Sequence, residues 1–259
     1  IVKIIIFYLD VPINFGTFFF IFAKSIGELM IRFLTAGESH GKALTTIVDG
    51  FPSNLQISEG YINHQLKRRQ FGYGRGLRMK IETDKTEILS GVRFGKTLGS
   101  PISMLIKNND WENWQTLMSV EAVNQKVQRI SIPRPGHADL VGVSKYNFDD
   151  IRNSIERSSA RETAARVAAG SIAKILLEKF GITIGSYVES IGGIYPDNNF
   201  SDKLFNNTIP TNFSAKSIAD KADKSSVRVL EPKQEEKIIR KIKSVKKKGD
   251  TLGGTFITV

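Results

Sequence analysis

No cysteine occurs anywhere in the 259 residues. Disulfides and thiolate metal sites are thereby excluded, no metal site is expected, and the chain suits a reducing cytoplasm. Long apolar runs are missing too. The longest uncharged stretch, residues 11–23, falls short of the roughly 20 apolar residues a membrane span needs, so no membrane role is expected. Histidine is scarce, with three in all: His40, His64 and His137. Acidic residues are in deficit, 26 against 37 Lys and Arg, which leaves a formal net charge of +11. A field of that sign attracts polyanions. The partner is then a nucleic acid or a small substrate carrying phosphate and carboxylate groups, unless the basic surface is merely solvated.

The first 29 residues do not match the rest. They are apolar and Phe-rich, interrupted by Lys3, Asp10, Pro12 and Lys24, and they begin with Ile. A secretory leader fits poorly, because Asp10 and Pro12 split its apolar core. Residues 1–29 are read as an extraneous segment upstream of a natural start at Met30, and residues 30–259 as the domain. Within it, residues 44–49 (LTTIVD) read as a strand. Ser58 caps a helix running to about Arg69, with Ile62 and Leu66 on one face. Residues 87–94 and 102–106 read as strands around a glycine-flanked turn, and residues 120–128 as a short helix. Residues 149–180 form a long Ala-rich helical stretch that Gly181 stops, followed by a strand over 182–194. Residues 196–225 read as loop with weak helical content, and 232–246 as a charged helix. The final residues, 255–259, read as a strand with no sequence after it to pair it. The pattern is α+β, and it breaks off in mid-fold.

The stretch TAGESHGKAL, residues 35–44, has three readings. As a G-x-S-x-G nucleophile elbow it needs a helix after the serine, yet strand-like residues follow. As a P-loop it fails on spacing: Ala36 stands where the first glycine belongs, and Ala43 where Ser or Thr should follow Lys42. A glycine-flanked loop presenting His40 as an acid–base group remains, although a lone histidine is more often structural. His137 lies in a second unusual context, Arg134-Pro135-Gly136-His137-Ala138-Asp139, where a Pro-Gly turn brings Asp139 near enough to orient or charge the imidazole. His64, between Asn63 and Gln65 in mid-helix, reads as solvated surface.

The arginines cluster in comparable settings. Arg69, Arg75 and Arg78 flank a segment too glycine-rich for helix or strand, where backbone can approach a ligand and guanidinium forks can grip phosphate or carboxylate. A flexible, solvated basic loop is the plain alternative. Arg157-Ser158-Ser159-Ala160-Arg161 sets hydroxyls among guanidinium groups, a combination that suits phosphate. Helix capping with ion pairs to nearby glutamates is the alternative there.

Together these stretches resemble the chorismate synthase family. GESHGKALTTIVDGFP is similar to its first signature, RRQFGYGRGLRMKIE to its arginine-rich loop, RPGHADLVGVSKY to its second histidine segment, and ERSSARETAARVAAG to its second signature. The resemblance runs from about Met30 to Val259. Past the GDTLGG stretch, family members continue into a C-terminal part carrying further flavin contacts and a catalytic aspartate, so the chain is expected to be truncated and its own activity doubtful. The resemblance implies a β-α-β sandwich assembling as a homotetramer in the cytoplasm. It implies conversion of 5-enolpyruvylshikimate 3-phosphate to chorismate and phosphate, a 1,4-elimination that needs reduced FMN. His40 would protonate the leaving phosphate and His137 would serve the reduced flavin. Arg157, Ser158 and Ser159 would bind FMN, and Arg69 and Arg75 would bind NADP, with NADPH a candidate flavin reductant. Ser39, Arg78 and Arg161 would hold the substrate. The other readings are an inactive fragment of such an enzyme and a basic nucleic-acid-binding module. The module lacks interleaved aromatics beyond Phe71 and Tyr73, and any recognisable nucleic-acid-binding motif.

Overall fold

A computed structural model of the chain describes residues 30–75, 81–198, 200–206 and 214–259. The expectations for residues 1–29 and for Arg78 fall outside the described residues. The described residues divide into two compact units, one built from those within 28–70 and 76–176, the other from those within 71–75 and 177–259.

The first unit is built on a four-stranded antiparallel sheet of β1 (Arg32–Ala36), β2 (Ala43–Asp49), β3 (Thr86–Ser90) and β6 (Ile102–Lys107), in the order β1-β2-β6-β3. Side chains alternate along a strand, and the sequence obeys that period of two. Leu44, Thr46 and Val48 stand directly across from Ile106, Met104 and Ile102, and all six are buried. The polar member is satisfied: Thr46 Oγ1 donates to the Ala165 carbonyl at 3.0 Å. That bond requires a helix lying close to the sheet. The helix is α4 (Thr163–Lys179), whose buried face is Ala164, Ala165, Ala168 and Ala169 followed by Ile172 and Ile175. Short side chains allow the approach, and the isoleucines fill the space further along.

Helix α1 (Glu59–Gln70) follows the expected pattern. Ser58 Oγ accepts the Tyr61 N–H at 3.3 Å, and Ile62 and Leu66 are fully buried in the same core as the sheet. The strand expected over 87–94 is broken at Gly91. Beyond it, β4 (Val92–Arg93) and β5 (Lys96–Thr97) form a separate hairpin with Phe94 and Gly95 both at positive φ, as a two-residue hairpin turn requires. The helix expected over 120–128 is absent. Val120 and Val123 are exposed, so no apolar face is buried, and Ser119 Oγ bonds both the N–H and the carbonyl of Glu121, drawing the backbone into a local turn. The long helical stretch expected over 149–180 is also divided, into α3 (Arg152–Arg157), a 3₁₀ turn (Ala160–Glu162) and α4, and a separate helix α2 (Asp139–Tyr146) precedes it.

In the second unit, β7 (Ser186–Ile191) pairs antiparallel with β8 (Gly254–Thr258), Tyr187 opposite Ile257. The final strand, read as having no sequence after it to pair it, is paired on one edge with the upstream β7. Among the described residues its helices are α5 (Phe200–Phe205), α6 (Ala215–Ala222) and α7 (Pro232–Lys247). Ile218 and Ala222 of α6 pack with Tyr187 and Ile257, and Ile238 of α7 packs with Val227 and Val229. Gly181, at φ 73, ends α4 as expected, with Ile182 N–H returning to the Leu177 carbonyl. Among the described residues no helix is long and apolar enough to cross a membrane.

Candidate active site

The loop from β1 to β2 carries Ser39 and His40. It begins at Gly37, whose φ of 108 favours glycine and where a side chain would run into the Ala43 carbonyl and, at 2.9 Å, the Leu44 backbone. A residue from outside the loop helps to pin it. Asn108, just past β6 and 4% exposed, donates from Nδ2 to the carbonyls of Glu38 (3.1 Å) and Gly41 (2.7 Å), and its own N–H reaches Lys42. Its amide oxygen accepts from Arg161 Nε at 2.8 Å. The histidine loop and the arginine segment of the second signature are thus tied through a single side chain.

His40 is held on several sides. Its ring Nδ1 lies 2.9 and 2.8 Å from the two carboxylate oxygens of Glu156, and its backbone N–H donates to Glu156 Oε2 at 2.8 Å. Ser39, itself buried, donates its N–H to the Glu156 carbonyl. The ring stacks on Trp114 with centroids 3.8 Å apart and planes 24° apart. Trp114 Nε1 donates to Asp110 Oδ2 at 3.0 Å, and the same oxygen lies 3.9 Å from His40 Nε2. The Arg152 guanidinium lies 5.5 Å from the centre of the Trp114 ring. Glu156 is 2% exposed, the His40 side chain 21%. An imidazole at a partly open position, gripped at one nitrogen, is suited to proton transfer.

Behind this loop lies a buried charge network. Asp84 receives Arg161 Nη1 on one oxygen and Arg69 Nη1 on the other, the latter at 3.1 Å. Arg161 Nη2 also reaches Glu82 and the Lys107 carbonyl. The remaining Arg69 nitrogens donate to Thr163 Oγ1 and the Ala160 carbonyl, both at 2.9 Å. Arg161, expected on the substrate, is 5% exposed and turned wholly inward. Arg69, expected on a nucleotide, is likewise engaged along its whole guanidinium, at 10% side-chain exposure. Arg75 belongs to the other unit, where it is exposed and its Nε donates to the Phe71 carbonyl.

Arg157, Ser158 and Ser159 lie at the break after α3. Arg157 Nη2 reaches the Thr35 carbonyl and hydroxyl, yet its side chain is 44% exposed. Ser158 Oγ donates to the Ser154 carbonyl, and Ser159 Oγ accepts the Arg161 N–H, capping the 3₁₀ turn. Helix α3 also grips the second histidine segment, because Ser154 Oγ donates to the Ala138 carbonyl at 3.0 Å. Ser154 and Glu156, two residues apart, thus hold the segments of His137 and His40.

Asp139, expected to orient or charge the His137 ring, acts on it by charge alone and makes no hydrogen bond to it. His137 is exposed, and the fully buried Asp139 carboxylate accepts from Arg134 N, Nε and Nη2, each at 2.9 Å. Three donors from one residue in fork geometry outcompete a single ring nitrogen. The hydrogen bonds from Arg134 hold the Asp139 carboxyl down at about 2, below its ordinary 3.8. A depressed folded-state value stabilises the fold above the unfolded value, and that stability is lost as pH falls through the folded one. Stability is therefore expected to fall between about pH 4 and 2. Asp139→Asn should lower the melting temperature at neutral pH and flatten that step in acid unfolding curves. An unchanged acid profile would place the step elsewhere.

A cavity of about 770 Å³ in the second unit, lined by Tyr187, Phe200, Leu230 and Pro232 among others, contains none of the expected site residues. Among the described residues no group of three or more His, Asp or Glu could hold a metal ion.

Comparison with known proteins bears on the same segments. A chorismate synthase family profile matches residues 31–259. The chorismate synthase of Chlorobaculum tepidum is 57% identical over 228 residues, covering 87% of this chain and 56% of that protein. That of Aquifex aeolicus is 54% identical over 227 residues, covering 87% and 56%, and that of Enterococcus faecalis 51% identical over 227, covering 86% and 56%. A crystal structure of chorismate synthase aligns with a TM-score of 0.69 at 46% identity, over 88% of this chain and 57% of that one. The chain spans a little over half the length of the relatives it matches.

Proposed function

The chain belongs to the chorismate synthase family, and from that premise we propose that the protein is a carbon–oxygen lyase making chorismate and phosphate from 5-enolpyruvylshikimate 3-phosphate. The observation that carries the reading is the held but accessible ring of His40. In the elimination the carbon–oxygen bond to phosphate breaks, a proton leaves the ring carbon, and a second ring double bond forms with no net redox change. His40 supplies the proton that the departing phosphate oxygen takes up. Ser39 and Arg78 contact the substrate. Arg161 acts at one remove: its buried guanidinium, through Asn108, fixes the loop that presents Ser39 and His40.

The donor set of Arg157, Ser158 and Ser159, a half-exposed guanidinium beside two hydroxyls, fits the phosphate end of FMN. Reduced FMN bound there would supply electron density to the elimination. His137, exposed on the segment that α3 anchors, would hydrogen-bond the reduced flavin. Arg69 does not fit an NADP contact, since its guanidinium is engaged by Asp84, Thr163 and Ala160, and no step is assigned to that nucleotide. A cytoplasmic homotetramer completes the reading. Family membership displaces the nucleic-acid module. The test is anaerobic turnover by the polypeptide as its cell makes it. With chemically reduced FMN and substrate, chorismate absorbance and phosphate should rise in equal amounts, and oxidised FMN should give neither. Absence of product under reducing conditions would sink the proposal.

A further inference from the structure

We infer that Glu156 is a positioning residue for His40. It fixes the ring in the tautomer protonated at Nδ1, so that the proton delivered in the reaction is the one carried on Nε2. A carboxylate only accepts hydrogen bonds. Both Glu156 oxygens lie within 2.9 Å of His40 Nδ1, and Oε2 also takes the His40 backbone N–H at 2.8 Å. Nδ1 must therefore carry a proton whether the ring is neutral or charged. Nε2 then gains and loses the exchangeable one. Asp110 Oδ2, at 3.9 Å from Nε2, is beyond hydrogen-bond reach, and it is already engaged by Trp114 Nε1. The stack on Trp114 resists the ring flip that would turn Nδ1 away from Glu156 and put Cδ2 in its place.

The carboxylate is itself well placed to hold this geometry. Glu156 lies in α3, 2% exposed, and the neighbouring turns are fixed by Ser154 on the Ala138 carbonyl and by the Ser39 N–H on the Glu156 carbonyl. Its position is set by helix packing rather than by a mobile side chain. The same logic governs an acid–base histidine whose orienting carboxylate sets the tautomer, where replacing the carboxylate by its amide leaves the geometry but presents the wrong nitrogen.

The catalytic meaning of this arrangement rests on His40 being the acid, but the tautomer can be measured without turnover. The chain has only three histidines, so nitrogen-15 long-range correlation spectra of the labelled protein contain three imidazoles, and His40→Asn assigns one of them. Once raised pH has made the His40 ring neutral, its Nδ1 is expected to be protonated and its Nε2 bare. In Glu156→Gln one carbonyl oxygen must serve both the ring and the backbone N–H, and the population should move toward the Nε2-protonated form. Turnover in that variant should fall about 10-fold or more with KM little changed, and Glu156→Asp should restore part of it. A neutral ring protonated at Nε2 in the unaltered protein would overturn the inference, whether or not the variants fold. So would a Glu156→Gln spectrum identical to that of the unaltered protein. If the tautomer is as stated but His40→Ala retains turnover, the proposed role of His40 fails while the positioning by Glu156 stands.

Discussion

Replacing Asp84 by alanine is expected to destabilise the first unit by about 3–5 kcal/mol, the usual loss when one member of a buried ion pair is removed. The magnitude follows from what is left behind. The Asp84 side chain is fully buried, and it receives Arg161 on one oxygen and Arg69 on the other. Arg161 is 5% exposed, so its guanidinium cannot turn to water when its partner disappears. Glu82 remains, at 3.4 Å, but one longer contact does not replace a close one. The damage should spread to the histidine loop, because Arg161 Nε holds Asn108, and Asn108 holds the carbonyls of Glu38 and Gly41. Denaturant unfolding of the chain should therefore show a lower midpoint together with altered signals from His40. Adding Arg161→Leu should recover part of the stability, since it removes the stranded charge. A loss under about 1 kcal/mol would mean the network is held by something other than this pair.

How far the sequence discloses this arrangement depends on the distance over which each feature is decided. Features fixed within one element were legible. The strand of residues 44–49, the Ser58 cap, the Ile62–Leu66 face and the stop at Gly181 all rest on neighbours within a turn or two, and the structure has them. Features decided by competition between partners were not. Asp139 goes to Arg134 because a guanidinium fork five residues upstream offers more donors than an imidazole two residues upstream. The helix read over 120–128 has no apolar face buried, since Val120 and Val123 are exposed. Glu156 and Asn108 were missed altogether. Glu156 meets His40 across 116 residues and Asn108 meets Arg161 across 53, and neither residue type is unusual in its local sequence. The only signal was position: Glu156 opens the ERSSARE stretch, and Asn108 directly ends an apolar strand at the start of a turn. Arg69 and Arg161 show the converse. Their residue type indicated a ligand, whereas burial beside Asp84 made them internal.

His40→Ala is expected to lower turnover in the lyase assay by about 10²-fold or more, the range that a positioned general acid contributes. The proton it supplies is needed as phosphate departs, so the loss should fall on kcat and on kcat/KM together, the mark of an interaction made in the transition state. Stability should change little by comparison, because the ring is partly open and its main contacts are one stack on Trp114 and one carboxylate. Removing the ring leaves the Glu156 carboxylate with the backbone N–H of residue 40 but without its ring partner, so a loss of fold would mix with lost chemistry. His40→Asn separates the two effects. Its amide NH₂ can donate toward the position now taken by Nδ1 and so keep Glu156 satisfied, yet it has no titrating proton to deliver. It should unfold near the unaltered midpoint and be as slow as the alanine variant. His137→Ala should be slowed to a similar degree through the reduced flavin, with the Arg134–Asp139 pair left intact. Near-normal turnover in His40→Ala and His40→Asn would return this histidine to a purely structural role, that of a ring packed between Glu156 and Trp114.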